Sequence, residues 1–251
     1  MSAPNLIDTQ ELEFNNGIFD AAAFARQALS SPQALATVID HTILKPEATR
    51  SQVEEVCREA AHYRFACAMV NPAWVALAVN ELKGTGIPVG VVIGFPLGAS
   101  LASTLRQEAE ALTRLGATEL DMVLPIGHLK SGDRNAVHHA VSAAAEVAHN
   151  CGSLLKVILE TALLTTEEKL LASEISITAG ADFIKTSTGF AKGGATADDI
   201  ALMRGVAGSR CGVKASGGIR TLADARAMLE AGASRIGASA SVAILRELGA
   251  E

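Results

Sequence analysis

The chain has 251 residues, 49% of them hydrophobic and 4% aromatic, with a net charge of −6. A single eight-fold α/β barrel is typically about this long, at about 250 residues. The acidic balance, with no basic cluster interleaved with aromatics, excludes a nucleic-acid face, and no apolar run approaches the roughly 20 residues of a membrane helix.

Residues 1–16 are polar and carry Asp8, Glu11 and Glu13, the opposite of a basic signal-peptide start. Cys57, Cys67, Cys151 and Cys211 show no paired spacing. A cytoplasmic protein with neither a disulfide framework nor a zinc site is expected. Residues 18–30 have the period of an amphipathic helix, which reads as a plug over a barrel's N-terminal mouth or as a subunit contact. The expected division is a 1–34 extension with one helix and a 35–251 barrel domain.

From residue 35 onward, short β-branched or apolar runs alternate with longer alanine-rich stretches of helical period. Runs at 36–41, 65–71, 88–93, 119–124, 154–160, 182–186, 212–215 and 234–237 predict strands. Helices are expected near 49–62, 72–83, 101–115, 133–150, 166–179, 197–208, 221–231 and 239–248. Thr49, Asn71 before Pro72, and Thr165 with Glu168 three residues later supply N-terminal caps. Gly116-Ala117, Gly180-Ala181 and Gly232-Ala233 recur before strands four, six and eight, where glycine ends the preceding helix. Strands covered on both faces by helices predict a parallel sheet, and eight of them predict closure into a (β/α)8 TIM barrel. The alternative, an open doubly wound sheet, would carry a glycine-rich turn after its first strand, and residues 40–48 contain no glycine.

Polar residues at strand C-termini face a barrel's catalytic mouth. That rule selects Asp40 and Thr42 on strand one, Cys67 on strand two, Asp121 on strand four and Lys156 with Glu160 on strand five. It adds Lys185 and Thr188 on strand six and Lys214 on strand seven. The three lysines recur at a constant interval, from 156 to 185 to 214. An ammonium inside a barrel must be paired or give up its proton, and Asp40, Asp121 and Glu160 are the available counter-charges. A neutral amine in such a group can attack a carbonyl and form a Schiff base.

Strand alternation puts Lys156 and Glu160 on one face, so Lys156 is either a catalytic amine or half of a buried ion pair. Asp121 is expected to face inward, because an unpaired carboxylate on an apolar strand is costly. Cys67 reads as a small core residue or as a contact to substrate. Thr188-Gly189, Ser216-Gly217-Gly218 and Gly237-Ala238-Ser239 offer backbone amides for a phosphate after strands six, seven and eight. Arg220 either adds charge there or is a solvated residue. No two histidines share a ligand spacing with a carboxylate, so neither metal nor cofactor is expected.

The segments FIKTSTG (183–189), GVKASGGIR (212–220), LLKVILET (154–161) and IDHTILK (39–45) resemble those of the deoxyribose-phosphate aldolase family, from about residue 35 to the end. That resemblance implies a (β/α) barrel which reversibly cleaves 2-deoxy-D-ribose 5-phosphate to acetaldehyde and D-glyceraldehyde 3-phosphate, without a metal. It implies Lys185 as the Schiff-base nucleophile, Lys214 as the cation that depresses its pKa, and Asp121 in a proton relay. Lys156 falls in the same network, and the phosphate site maps to Gly189, Gly217, Gly218, Gly237 and Ser239. Phe190 follows Gly189 where some relatives carry lysine, and Ala240 follows Ser239 where some carry a second serine. Two other readings stand beside it: a Schiff-base aldolase or transaldolase for a different sugar phosphate, and a non-catalytic phosphometabolite-binding barrel. The expected partners are a small sugar phosphate and an aldehyde, and the surface alanines fit a monomer or a homodimer.

Overall fold

The computed structural model describes Phe14, Asn15 and residues 18–250. Eight parallel strands close into a barrel: β1 (Ile39–Ile43), β2 (Cys67–Val70), β3 (Val89–Ile93), β4 (Glu119–Val123), β5 (Leu154–Ile158), β6 (Phe183–Lys185), β7 (Gly212–Ser216) and β8 (Arg235–Ala238). Each strand pairs with its sequence neighbours, and β8 closes the ring on β1, with Gly237 opposite Asp40. Valine, isoleucine and leucine dominate the strands because both faces are covered, one by helices and one by the barrel interior.

The helices are α1 (Ala21–Ala28), α2 (Pro32–Ala36), α3 (Arg50–Tyr63), α4 (Val75–Glu81), α5 (Ala102–Arg114), α6 (Ile126–Lys130), α7 (Arg134–Asn150), α8 (Thr166–Thr178), α9 (Ala197–Ala207), α10 (Leu222–Glu230) and α11 (Ser241–Glu247). The caps at 49 and 165 form as expected: Thr165 and Glu168 exchange hydrogen bonds in a capping box, as do Thr49 and Gln52. Gly116, Gly180 and Gly232 take φ of 104°, 101° and 113°. Their missing Cβ permits the left-handed step that returns each chain segment to the sheet. Two details depart from expectation. Pro72–Trp74 forms a 3-10 turn before α4, and α6 is an extra short helix after β4.

The extension carries two helices where one is expected, since Ser31 caps α2 through a bond from Ala34 N with Pro32 at its first position. Before them lies a two-stranded antiparallel ribbon, Phe14–Asn15 with Ile18–Phe19. α1 packs against α10, and Phe19, Phe24, Ala25 and Ala28 are buried in the same core as the barrel's helices. The Arg204 guanidinium lies 4.0 Å from the Phe19 ring centre and donates to the carbonyls of Gly208, Cys211 and Gly232, which lead into β7 and β8. The extension is thereby fastened to the N-terminal edge of the barrel. Residues 1–13, with Asp8, Glu11 and Glu13, lie outside the described residues.

Candidate active site

Alternation along the strands decides which side chains enter the barrel. On β1 it turns Asp40 and Thr42 inward and His41 outward, where His41 stacks on Phe65 at 4.8 Å and its Nε2 meets Glu59 at 2.7 Å. The same rule brings Glu119 and Asp121 inward on β4, Lys156 on β5, Lys185 on β6, Lys214 on β7 and Arg235 on β8. All are buried.

Three lysines converge on one carboxylate. Lys156 Nζ donates to Asp121 Oδ1 at 2.8 Å, while Lys185 Nζ and Lys214 Nζ each reach Oδ2 at 2.7 Å. Lys214 also binds Asp40. Lys156 lies 2.5 Å from Glu119 and 3.3 Å from Asp40. Arg235 closes the floor, 3.0 Å from Glu119 Oε1 and 3.3 Å from Asp40 Oδ1.

This pairing distributes charge unevenly. Asp121 has its carboxyl pushed up by burial, but Lys156, Lys185 and Lys214 outweigh that and hold it well below the usual carboxylate range. Asp40 is likewise held low, with Arg235 the strongest of its cations. For Lys156 burial opposes the charge, yet Asp121, Asp40 and Glu119 together raise its pKa well above an ordinary lysine's. Lys185 is the exception: burial dominates, Asp121 opposes it, Lys214 and Lys156 add repulsion, and the ammonium falls to about 8. Desolvation is the larger cause, with the neighbouring Lys214 lowering the pKa further.

Three expected site residues occupy other surroundings. Cys67 is fully buried on the same strand face as Met69, its thiol pushed well up by burial. Asp40 is fully buried among Lys156, Lys214 and Arg235, and these three cations are its ion-pair partners. Gly237 lies within β8 itself. A Cβ there would come 2.5 Å from Ser216 Oγ and 3.0 Å from Lys214 Cε, so the glycine makes room for the lysine stem. Glu160 is not the partner of Lys156. Its backbone turns to φ 57° after β5, and its Oε2 accepts from Thr188 N at 3.2 Å and Thr188 Oγ1 at 2.5 Å.

Thr42 is half-buried at the mouth, its hydroxyl donating to Asp40 O at 2.8 Å. Thr188 Oγ1 accepts from Phe190 N at 3.0 Å, which folds the loop after β6. Gly189, Gly217 and Gly218 have φ of 86°, 90° and 81°, a conformation that aims successive backbone amides into concave loops. Gly194 packs against Gly217 O, which accepts from Ala195 N at 2.9 Å and ties the loops after β6 and β7 together. Ser239 is exposed just beyond β8, and Phe190, half-exposed, meets Phe95 edge-on at 5.3 Å across the rim.

Glu119 and Arg235 were not among the expected site residues. The usable signal was strand parity, since Glu119 shares it with Asp121 and Arg235 shares it with Gly237. Among the described residues, Asp40, Cys67 and Glu119 could reach a common metal ion. Lys156 Nζ, 2.5 Å from Glu119 and 3.3 Å from Asp40, instead supplies the positive charge those carboxylates need. A metal ion there would have to share that space with Lys156 and Arg235.

The family model for DeoC/LacD family aldolase matches residues 34–247. The chain is 55% identical over 211 residues to the deoxyribose-phosphate aldolase of Bacillus mycoides, covering 84% of this chain and 94% of that one. It is 54% identical over the same length and shares to that of Bacillus cytotoxicus. The solved tetrameric deoxyribose phosphate aldolase of Aeropyrum pernix matches with TM-score 0.83 at 36% identity, over 91% of this chain and 96% of that one.

Proposed function

The chain belongs to the DeoC/LacD family of aldolases, and we propose that it cleaves 2-deoxy-D-ribose 5-phosphate reversibly, with Lys185 carrying the substrate as a Schiff base. The observation that carries this reading is the contrast among the three lysines. Lys156 is sealed among Asp40, Glu119 and Asp121, and Lys214 is gripped by Asp40 and Asp121. Among the described residues Lys185 is ion-paired with Asp121 alone, and it ends β6 with its pKa lowered to about 8. An amine that releases its proton near neutral pH is the nucleophile this chemistry requires.

In the cleavage direction, neutral Lys185 Nζ adds to C1 of the open-chain sugar, and loss of water from the carbinolamine leaves an iminium. The C3 hydroxyl then gives up its proton, the C2–C3 bond breaks, and its electron pair flows into the iminium. Glyceraldehyde 3-phosphate departs and an enamine remains on Lys185. Protonation at C2 and hydrolysis release acetaldehyde and the free amine. Asp121 stays ionised throughout, so its part in the relay is to orient the ammonium of Lys214 and a bound water, which carry the protons. The anionic end of the substrate is taken by the amides of the Gly189 and Gly217-Gly218 loops with Ser239 beside them.

Borohydride reduction in the presence of acetaldehyde, followed by peptide mass mapping, is expected to place a two-carbon adduct on Lys185 alone. An unmodified Lys185 would overturn the mechanism. Removing the phosphate from the sugar is expected to raise KM far more than it lowers kcat. Free thiols at Cys57, Cys67, Cys151 and Cys211 support a cytoplasmic location, and among the described residues no helix is long and apolar enough to cross a membrane. A homodimer is the assembly proposed, to be checked by sedimentation.

A further inference from the structure

The barrel interior holds three ion-paired carboxylates, Asp40, Glu119 and Asp121, against four cationic side chains, Lys156, Lys185, Lys214 and Arg235. All seven are within a few per cent of complete burial. A low-dielectric interior resists a net charge, so one cation in this set is surplus. We propose that Arg235, which faces no substrate, is a positioning residue for imine formation: it holds Asp40 and Glu119 from beneath, and so makes Lys185 the surplus amine.

The route runs through shared oxygens. Arg235 Nη1 lies 3.3 Å from Asp40 Oδ1 and Nη2 lies 3.0 Å from Glu119 Oε1, with the guanidinium 5.6 Å from the Phe183 ring centre. Asp40 presents its other oxygen to Lys214, which also shares Asp121 Oδ2 with Lys185. Without Arg235, the unsatisfied charge on Asp40 draws Lys214 towards itself, and Asp121 is left to Lys185. The proton on Lys185 is then held more tightly. Few other charges enter the account. β2 contributes Cys67, which burial keeps as the thiol, β3 contributes Gly90 and Val92, and Glu160 beyond β5 is engaged by Thr188.

The inference rests on the Lys185 imine proposed above. Its test is the rate of borohydride-trapped adduct formation with acetaldehyde as a function of pH, on the full chain. Wild-type trapping is expected to be half-maximal near pH 8. Arg235→Met is expected to move that midpoint up by about one unit, an approximately 10-fold slower reaction at neutral pH. Arg235→Lys restores the charge and the midpoint. Glu119→Gln adds a surplus cation and moves the midpoint down, and the double variant Glu119→Gln/Arg235→Met returns towards wild type. A merely structural role would lower the rate at every pH with the midpoint unmoved, which overturns the proposal. Should Arg235→Met fail to fold, an unmoved midpoint in Glu119→Gln overturns it equally. Absence of any adduct on wild-type Lys185 is a different result and removes the mechanism beneath both.

Discussion

The two sides of the barrel interior are built on opposite principles. One wall, from β2 and β3 with the ends of their neighbours, presents Leu44, Cys67, Met69 and Val92 with Phe95 against them, and carries no charge. The arc from β4 round to β1 presents Glu119, Asp121, Lys156, Lys185, Lys214, Arg235 and Asp40. The apolar wall holds no compensating groups, so it provides the dry surroundings that make an excess ammonium costly. The charged arc then determines which amine bears that cost. Neither side alone would produce a lysine that titrates near pH 8.

The largest effects are expected at the centre of the charged arc. Lys185→Leu removes the barrel-interior amine whose pKa is lowered to about 8, and kcat is expected to fall by about 10⁵-fold or more in a coupled assay of sugar-phosphate cleavage. Asp40→Asn strips the shared partner from Lys156, Lys214 and Arg235 at once. Leaving cations uncompensated in the interior is expected to cost about 3–5 kcal/mol in urea unfolding at neutral pH.

The sign of the pH dependence follows from the same carboxylates. Asp40 and Asp121 have their pKa lowered on folding, so their stabilisation is complete above the unfolded value of about 4 and is lost as pH falls through the folded values. Asp40→Asn should therefore flatten the acid side of a stability profile. Activity moves at the other end, because Lys185 must be neutral: below its pKa of about 8, imine formation should drop by about tenfold per pH unit.

Smaller changes separate the two walls. Gly237→Ala would press a methyl group on Ser216 Oγ and Lys214 Cε, at 2.5 and 3.0 Å, and is expected to cost about 1–3 kcal/mol while displacing Lys214 and lowering kcat. On the apolar side Met69→Leu nearly conserves volume and bears no charge, so a stability change under about 1.5 kcal/mol and an unmoved pH midpoint are expected. A midpoint that moved with Met69→Leu would show that the dry wall is less passive than the contrast requires.

The repeat and the facing of its residues are legible in the residue pattern alone. Eight apolar runs with glycine-ended helices between them dictate strand-helix units, because each side-chain period suits only one backbone geometry. Strand parity then places Lys156, Lys185, Lys214 and Asp121 inside before any contact is known. Which charge meets which depends on contacts between distant strands. Glu160 shares the parity of Lys156, yet a left-handed turn at φ 57° sends it to Thr188, and Glu119 takes its place. Arg235 reaches Glu119 across the barrel although the two are far apart in the chain and lie on strands that do not pair. Pairings of that kind depend on how the sheet closes, and closure is a property of all eight strands at once, which no local pattern of residues encodes.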